Sequence, residues 1–166
     1  MDRNIVRRHP SEIKPGVLPI MAPENVPEGV FLHHVNASGF PVLAEGILLR
    51  EKGKRSKSAQ SGVSRRFNLH EKNMIHASHM IPDRFGGSGK KYNLVALPRQ
   101  FNLQQMARFE DDLAVKMQKG KVYLQVFAAY FASTQQIASD VLYRVYEVKN
   151  GKPIGIARDY SFMVLH

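Results

Sequence analysis

A histidine, an amide and a carboxylate fall within one short stretch that reads as strand, glycine loop, strand and helix. It runs His76-Ala77-Ser78-His79-Met80-Ile81-Pro82, Phe85-Gly86-Gly87-Ser88-Gly89, Tyr92-Asn93-Leu94-Val95, then Asn102 to Glu110. A strand histidine can take a proton from water, and an amide oxygen is a weak ligand for a hard cation. A carboxylate can orient that cation's hydration shell. Together these groups suit metal-assisted phosphodiester hydrolysis.

The elements that must position them are legible from periodicity. His70 to Ile81 reads as the first motif strand with its approach, and Tyr92 to Leu97 as the second. A helix is expected from about Asn102 to Lys119, because Leu103, Met106, Leu113 and Met117 recur on one face at ~100° per residue. Glu110 lies in that inward stripe and Asn102 near its edge. Their eight-residue separation corresponds to a rise of ~12 Å, too far for both to ligate one ion directly if both are helical. Asn102 as ligand, with Glu110 acting through water, fits better. An inward glutamate also suits a simpler role, pairing with a buried cation. Lys119-Gly120 is the expected helix stop.

Around this unit, Val30–Val35 and Phe40–Leu49 read as a hairpin turning at Asn36-Ala37-Ser38-Gly39. Val122–Phe127 and Val141–Val148 read as strands, with Asn150-Gly151 making a tight turn into Ile154-Gly155-Ile156. Pro10, Pro15, Pro19, Pro23 and Pro27 make residues 1–29 an extended arm or linker, leaving 30–166 as the main domain. Glu51 to Ser64 is polar, basic and serine-rich, hence a loop. The fold class is α+β, mostly antiparallel.

Composition narrows the partners. Twenty-four Lys and Arg against 14 Asp and Glu give a formal charge of +10, which points to a polyanion, most commonly nucleic acid. The densest basic cluster, Lys52, Lys54, Arg55, Lys57, Arg65 and Arg66, lies just upstream of the histidine stretch. Arg50 opens it. Arg84, Lys90 and Lys91 flank the glycine loop and could meet phosphates. Without cysteine there are no disulfides or thiolate metal sites, and neither cytosol nor secreted space is favoured. No apolar run is long enough to span a membrane, and Met1–Pro19 lacks the apolar core of a secretory signal.

Two other site readings are weak. His76 and His79 are three apart, so on a strand they point to opposite faces and chelate zinc poorly. The Gly86–Gly89 run lacks the lysine spacing and following helix of a nucleotide-binding loop, and reads as a flexible connection. His9, His33 and His34 read as surface or hairpin residues.

These motifs resemble the ββα-metal (His-Me finger) DNA/RNA non-specific endonucleases, especially nuclease domains of bacterial polymorphic toxins and secretion-system effectors. The likeness covers roughly 30–150. Its specific part is His79-Met80-Ile81-Pro82-Asp83-Arg84-Phe85-Gly86-Gly87, Tyr92-Asn93-Leu94-Val95, and Asn102 with Glu110. Val35–Pro41 with Ala44-Glu45-Gly46 resembles the family's opening hairpin, and Lys54-Arg55 with Gln60 its basic segment. The resemblance implies His79 as general base, Asn102 as magnesium ligand, and Glu110 as the carboxylate that holds metal-bound water. It implies a structural role for Asn93 beside the histidine loop. Manganese is expected to replace magnesium. Two departures stand out. Ala77 and Ser78 replace the arginine and glycine that usually precede the base, so Arg55, Arg84 or another basic group must supply the cation for the transition state. Leu103-Gln104 stand where Arg-Gly often follows the asparagine.

The implied protein is a magnesium-dependent phosphodiesterase acting on DNA or RNA with little sequence preference. By the same resemblance it is an exported effector, acting in a target-cell cytoplasm and blocked by an immunity protein. The rival is a non-catalytic, degenerate nucleic-acid-binding module, which the Ala77-Ser78 substitution favours. A third reading is a scaffold whose basic face meets an acidic protein.

Overall fold

Long apolar runs broken by single polar residues build a six-stranded sheet whose central strands are buried on both faces. The computed structural model describes residues 4–8, 27–50, 75–132 and 136–163, without the side chains of 99–104 and 155–163. The strands are β1 (Asn4–Arg8), β2 (Phe31–Val35), β3 (Pro41–Ile47), β4 (Ile75–His79), β5 (Leu94–Pro98), β6 (Val122–Ala129), β7 (Asp140–Lys149) and β8 (Lys152–Met163). A single helix among the described residues, α1 (Arg99–Lys119), follows β5 directly. The large sheet has the order β1-β2-β3-β6-β7-β8, and β4 and β5 form a separate ribbon. Every pairing is antiparallel except that of β1 with β2. The α+β class expected from the sequence is therefore the fold observed.

Alternation divides the large sheet into two different faces. One carries Phe31, Ala44, Leu124, Val126, Tyr143 and Val145, which join Met106, Phe109, Leu113 and Met117 of α1 and Val95 and Leu97 of β5 in the main core. The other carries Ile47, Tyr123 and Tyr146. Glu45 and Gln125, paired across β3 and β6, bring buried polar groups to that second face. The Tyr123 hydroxyl donates to Glu45 Oε2 at 2.6 Å, and the Tyr146 hydroxyl to Gln125 Oε1 at 3.2 Å. Burial, reinforced by the Glu45 charge, pushes the Tyr123 phenol well above the ordinary tyrosine range.

Local turn chemistry accounts for both expected hairpins. Asn36 Oδ1 accepts from the Ser38 and Phe40 amides, each at 3.0 Å, and so closes the β2–β3 turn. Asn150 and Gly151 have φ of 54° and 75°, the paired left-handed residues of a two-residue hairpin turn.

Several boundaries differ from expectation. The helix begins at Arg99, three residues early, because Pro98 closes β5 and Arg99 turns at once. Asn102 thus lies inside the first turn. The third C-terminal strand continues to Met163 rather than ending near Ile156. Asn4–Arg8 of the proline-containing segment pair in register with β2, Asn4 opposite Phe31. His33 and His34, expected as surface or hairpin residues, lie on the β2–β3 hairpin and are buried there. Arg50 is turned to the helix end, where its guanidinium donates to the Met117 carbonyl and so serves as a C-terminal cap.

Candidate active site

The β4–β5 register fixes which groups share a face. His79 lies opposite Leu94, Ala77 opposite Ala96, and Ile75 opposite Pro98. His76 and Ser78 belong to the reverse face, with Leu97 and Val95. His79 is half-buried at the last position of β4, where the chain leaves the ribbon. Ala77 packs against a small apolar cluster of Ile75, Leu94 and Ala96, together with Ile137. The position where the resemblance calls for an arginine is thus apolar.

Beyond His79 the chain is held by Asn93, through its main chain at Met80 and its side chain at Ile81. Asn93 is fully buried. Its Oδ1 accepts from the Ile81 amide at 2.9 Å, while its Nδ2 donates to the Ile81 carbonyl at 2.9 Å and the Ser88 carbonyl at 2.8 Å. The Met80 amide donates to the Asn93 carbonyl at 2.8 Å. One amide side chain therefore ties together the exit of β4, the glycine loop and the entrance of β5. Gly87 lies so close to this exit that a Cβ there would meet the Ile81 carbonyl oxygen at 1.8 Å.

Two 3₁₀ turns, Asp83–Phe85 and Lys91–Asn93, flank the Gly86–Gly89 run. The Phe85 and Gly87 amides both donate to the Pro82 carbonyl at 3.0 Å. Arg84 reaches from the first turn to α1, with Nη1 3.0 Å from Asp111 Oδ1, and its guanidinium lies 5.4 Å from the Phe85 ring centre. Lys90 and Lys91 are exposed at the second turn.

Helix α1 brings the remaining groups. The backbone puts Asn102 in its first turn, and α1 packs on both β4 and β5. Glu110 is half-buried midway along it, next to Phe109, whose ring lies 4.6 Å from that of Tyr143. Burial and then the nearby Glu110 charge push the Tyr143 phenol well above the usual tyrosine range. Glu110 therefore faces β7 electrostatically, a neighbour with no local sequence signal. Tyr92, inside the quoted motif, and Asp111, beside Glu110, are further residues whose contacts were not anticipated. Lys52, Lys54, Arg55, Lys57, Arg65 and Arg66 lie outside the described residues, as do His9 and His70. Among the described residues no three His, Asp or Glu side chains converge to form a metal cage.

A family model for DNA/RNA non-specific endonucleases matches residues 32–146, more than half the chain and spanning the whole strand–loop–strand–helix unit. The chain belongs to this endonuclease family. The fold agrees: NucA from Streptococcus agalactiae, in its crystal structure with magnesium ion bound, superposes with a TM-score of 0.60 at 12% identity. That match covers 90% of this chain and 78% of NucA. NucA with no metal bound gives a TM-score of 0.50, again at 12% identity, covering 87% and 70%. At such identity the likeness speaks for the architecture of this endonuclease alone. No match to a curated protein sequence was found. No helix among the described residues is long and apolar enough to cross a membrane.

Proposed function

We propose that this endonuclease hydrolyses DNA or RNA phosphodiesters in a metal-dependent reaction, with His79 as general base. The observation that supports this most is the clamp that fixes the end of β4. Asn93 holds the residues just beyond His79 on a frame that runs straight into the helix bearing Asn102 and Glu110. In the proposed step the His79 imidazole takes a proton from the attacking water, which needs its neutral form. His79 as a residue is half-buried, and its Nε2 is shielded from solvent by the packing around it.

The donors suit a hard, mostly hydrated cation. Amide and carboxylate oxygens are available, thiolate is absent from the chain, and no histidine cage competes among the described residues. Asn102 would hold magnesium or manganese, with Glu110 supporting it; the ion, when bound, supplies Lewis-acid stabilisation of charge at phosphorus and the leaving oxygen. Glu110 is only half-buried, so its carboxylate is not sealed in the core.

Phosphate contacts would come from Lys90 and Lys91 and from the upstream basic cluster, giving affinity without base readout. The cation missing at Ala77 is assigned to Arg55 or Arg84. Arg84 can be recruited cheaply, because its bridge to Asp111 is exposed and such pairs contribute only about 0–1 kcal/mol. The role of cell-killing effector with a cognate immunity protein, and the assignment of 30–166 as the nuclease domain, are part of the proposal and rest on the sequence resemblance.

The apolar packing of Ala77 also favours a second reading, a degenerate module that binds nucleic acid without cutting it. Incubating the protein with plasmid DNA and with RNA, with magnesium and then with EDTA, separates the two. Binding without cleavage in magnesium would support the second.

A further inference from the structure

A chain of contacts runs from the edge strand β1 to the loop that follows His79. His33 on β2 is fully buried, and its Nε2 lies 3.1 Å from Asn4 Oδ1 on β1. An amide oxygen only accepts, so Nε2 carries the proton there. The His33 ring packs at 4.6 Å on that of Tyr92, in the second 3₁₀ turn. The Tyr92 hydroxyl shares a hydrogen bond with Ser88 Oγ at 3.0 Å, and Ser88 Oγ also accepts from the Lys90 amide at 3.1 Å. The Ser88 carbonyl is one of the three groups held by Asn93. Two further contacts of Asn93 reach Ile81, two residues beyond His79.

We infer that Asn4, His33 and Tyr92 are positioning residues for His79, so that seating β1 on the sheet sets the geometry of the catalytic loop. The inference rests on the nuclease reading above. Its physical basis is that Ser88 and Ile81 are fastened to one side chain, so a shift of Ser88 is passed to the end of β4. Tyr92 holds the Ser88 hydroxyl, and the buried His33 ring packs against Tyr92. Asn4 orients that ring in turn. A packed aromatic pair and fixed hydrogen bonds transmit displacement because interiors yield little.

The test uses the full-length protein and substitutions that spare the core. Tyr92→Phe keeps the ring against His33 and deletes only the hydroxyl. Asn4→Ala removes the distant acceptor, and Asn4→Asp restores an oxygen. Steady-state cleavage and amide hydrogen exchange at Ile81 are measured for each. The expected result is a fall in kcat of about three- to tenfold for Tyr92→Phe, in line with one hydrogen bond. KM should be unchanged and the Ile81 amide should exchange several-fold faster. Asn4→Ala should move both readouts the same way, Asn4→Asp should recover them, and the double variant should be less than additive. Unchanged Ile81 exchange in Tyr92→Phe overturns the mechanical link. Faster exchange with unchanged kcat overturns the catalytic meaning of that link, as does a loss that follows melting temperature alone. A wild-type protein that cuts neither DNA nor RNA sinks the nuclease reading, and the catalytic role of the chain with it. The exchange data would still decide whether the contacts hold the loop.

Discussion

Replacing Asn93 by alanine should cost more stability than any other single polar truncation in the motif. Three side-chain hydrogen bonds disappear, at 2.9, 2.9 and 2.8 Å. The two Ile81 partners are buried, and each orphaned backbone group costs about 1–3 kcal/mol. The Ser88 carbonyl is only part-buried, so water can replace its donor and its loss adds little. Allowing for relaxation of the loop, the expected destabilisation is about 3–5 kcal/mol. Against a typical total of about 5–15 kcal/mol the variant should still fold at low temperature. For a domain of this length each kcal/mol moves the melting point by about 2–4 °C, so a drop of roughly 10 °C is expected. Urea unfolding followed by far-ultraviolet circular dichroism measures it, with the denaturant slope unchanged if only stability is affected. Asn93→Asp should be at least as damaging, since a carboxylate oxygen would replace the donor that faces two carbonyls. A loss under about 1 kcal/mol for Asn93→Ala would refute the assignment of this residue as the clamp of the loop.

The remaining predictions test other parts of the same frame. Gly87→Ala should distort or unfold the loop, because its Cβ would stand 1.8 Å from the Ile81 carbonyl oxygen, a backbone atom that cannot swing aside; a variant with native melting temperature and activity would contradict the close approach. Stability should decline above about pH 10, where tyrosines of the unfolded chain ionise while the buried Tyr143 stays protonated, and Tyr143→Phe should make that decline shallower by up to about 1.4 kcal/mol per pH unit. Denaturation midpoints from pH 9 to 11.5 provide the comparison, and identical slopes would count against it. If Arg84 supplies the transition-state cation, Arg84→Ala should lower turnover at saturating substrate while leaving folding within about 1 kcal/mol, as expected for an exposed ion pair; a change in KM alone would leave that role to Arg55.

Local signals made much of this architecture legible. The recurrence of Met106, Leu113 and Met117 marks the buried face of α1, and Asn150-Gly151 marks the last hairpin because both residues take positive φ. The order of strand, loop, strand and helix follows from short apolar runs punctuated by glycine and proline. Features that depend on distant pairing were not legible. Residues Asn4–Arg8 carry no mark that they will join β2, since the proline spacing after them suggests only an arm. His33 and His34 read as surface or hairpin residues, and nothing local to them marks the burial that they acquire on β2. The neighbourhood of Glu110 was open for the same reason: Tyr143 meets it through the packing of α1 on the sheet. Arg50 sits in a basic run that reads as phosphate-binding, yet the free carbonyls at the end of α1 attract its guanidinium.

The central claim is that the group held at the end of β4 by the Asn93 frame acts as the base in a metal-dependent cleavage. It is tested most directly by single-turnover cleavage of supercoiled plasmid DNA and of RNA, comparing wild type with His79→Ala in magnesium. The account predicts that wild type cuts at least one of the two, that EDTA stops it and magnesium or manganese restores it. It predicts that His79→Ala retains nucleic-acid binding but cleaves about 10²–10⁴-fold more slowly. Equal cleavage rates for the two proteins, or cleavage by wild type that persists in EDTA, would contradict it.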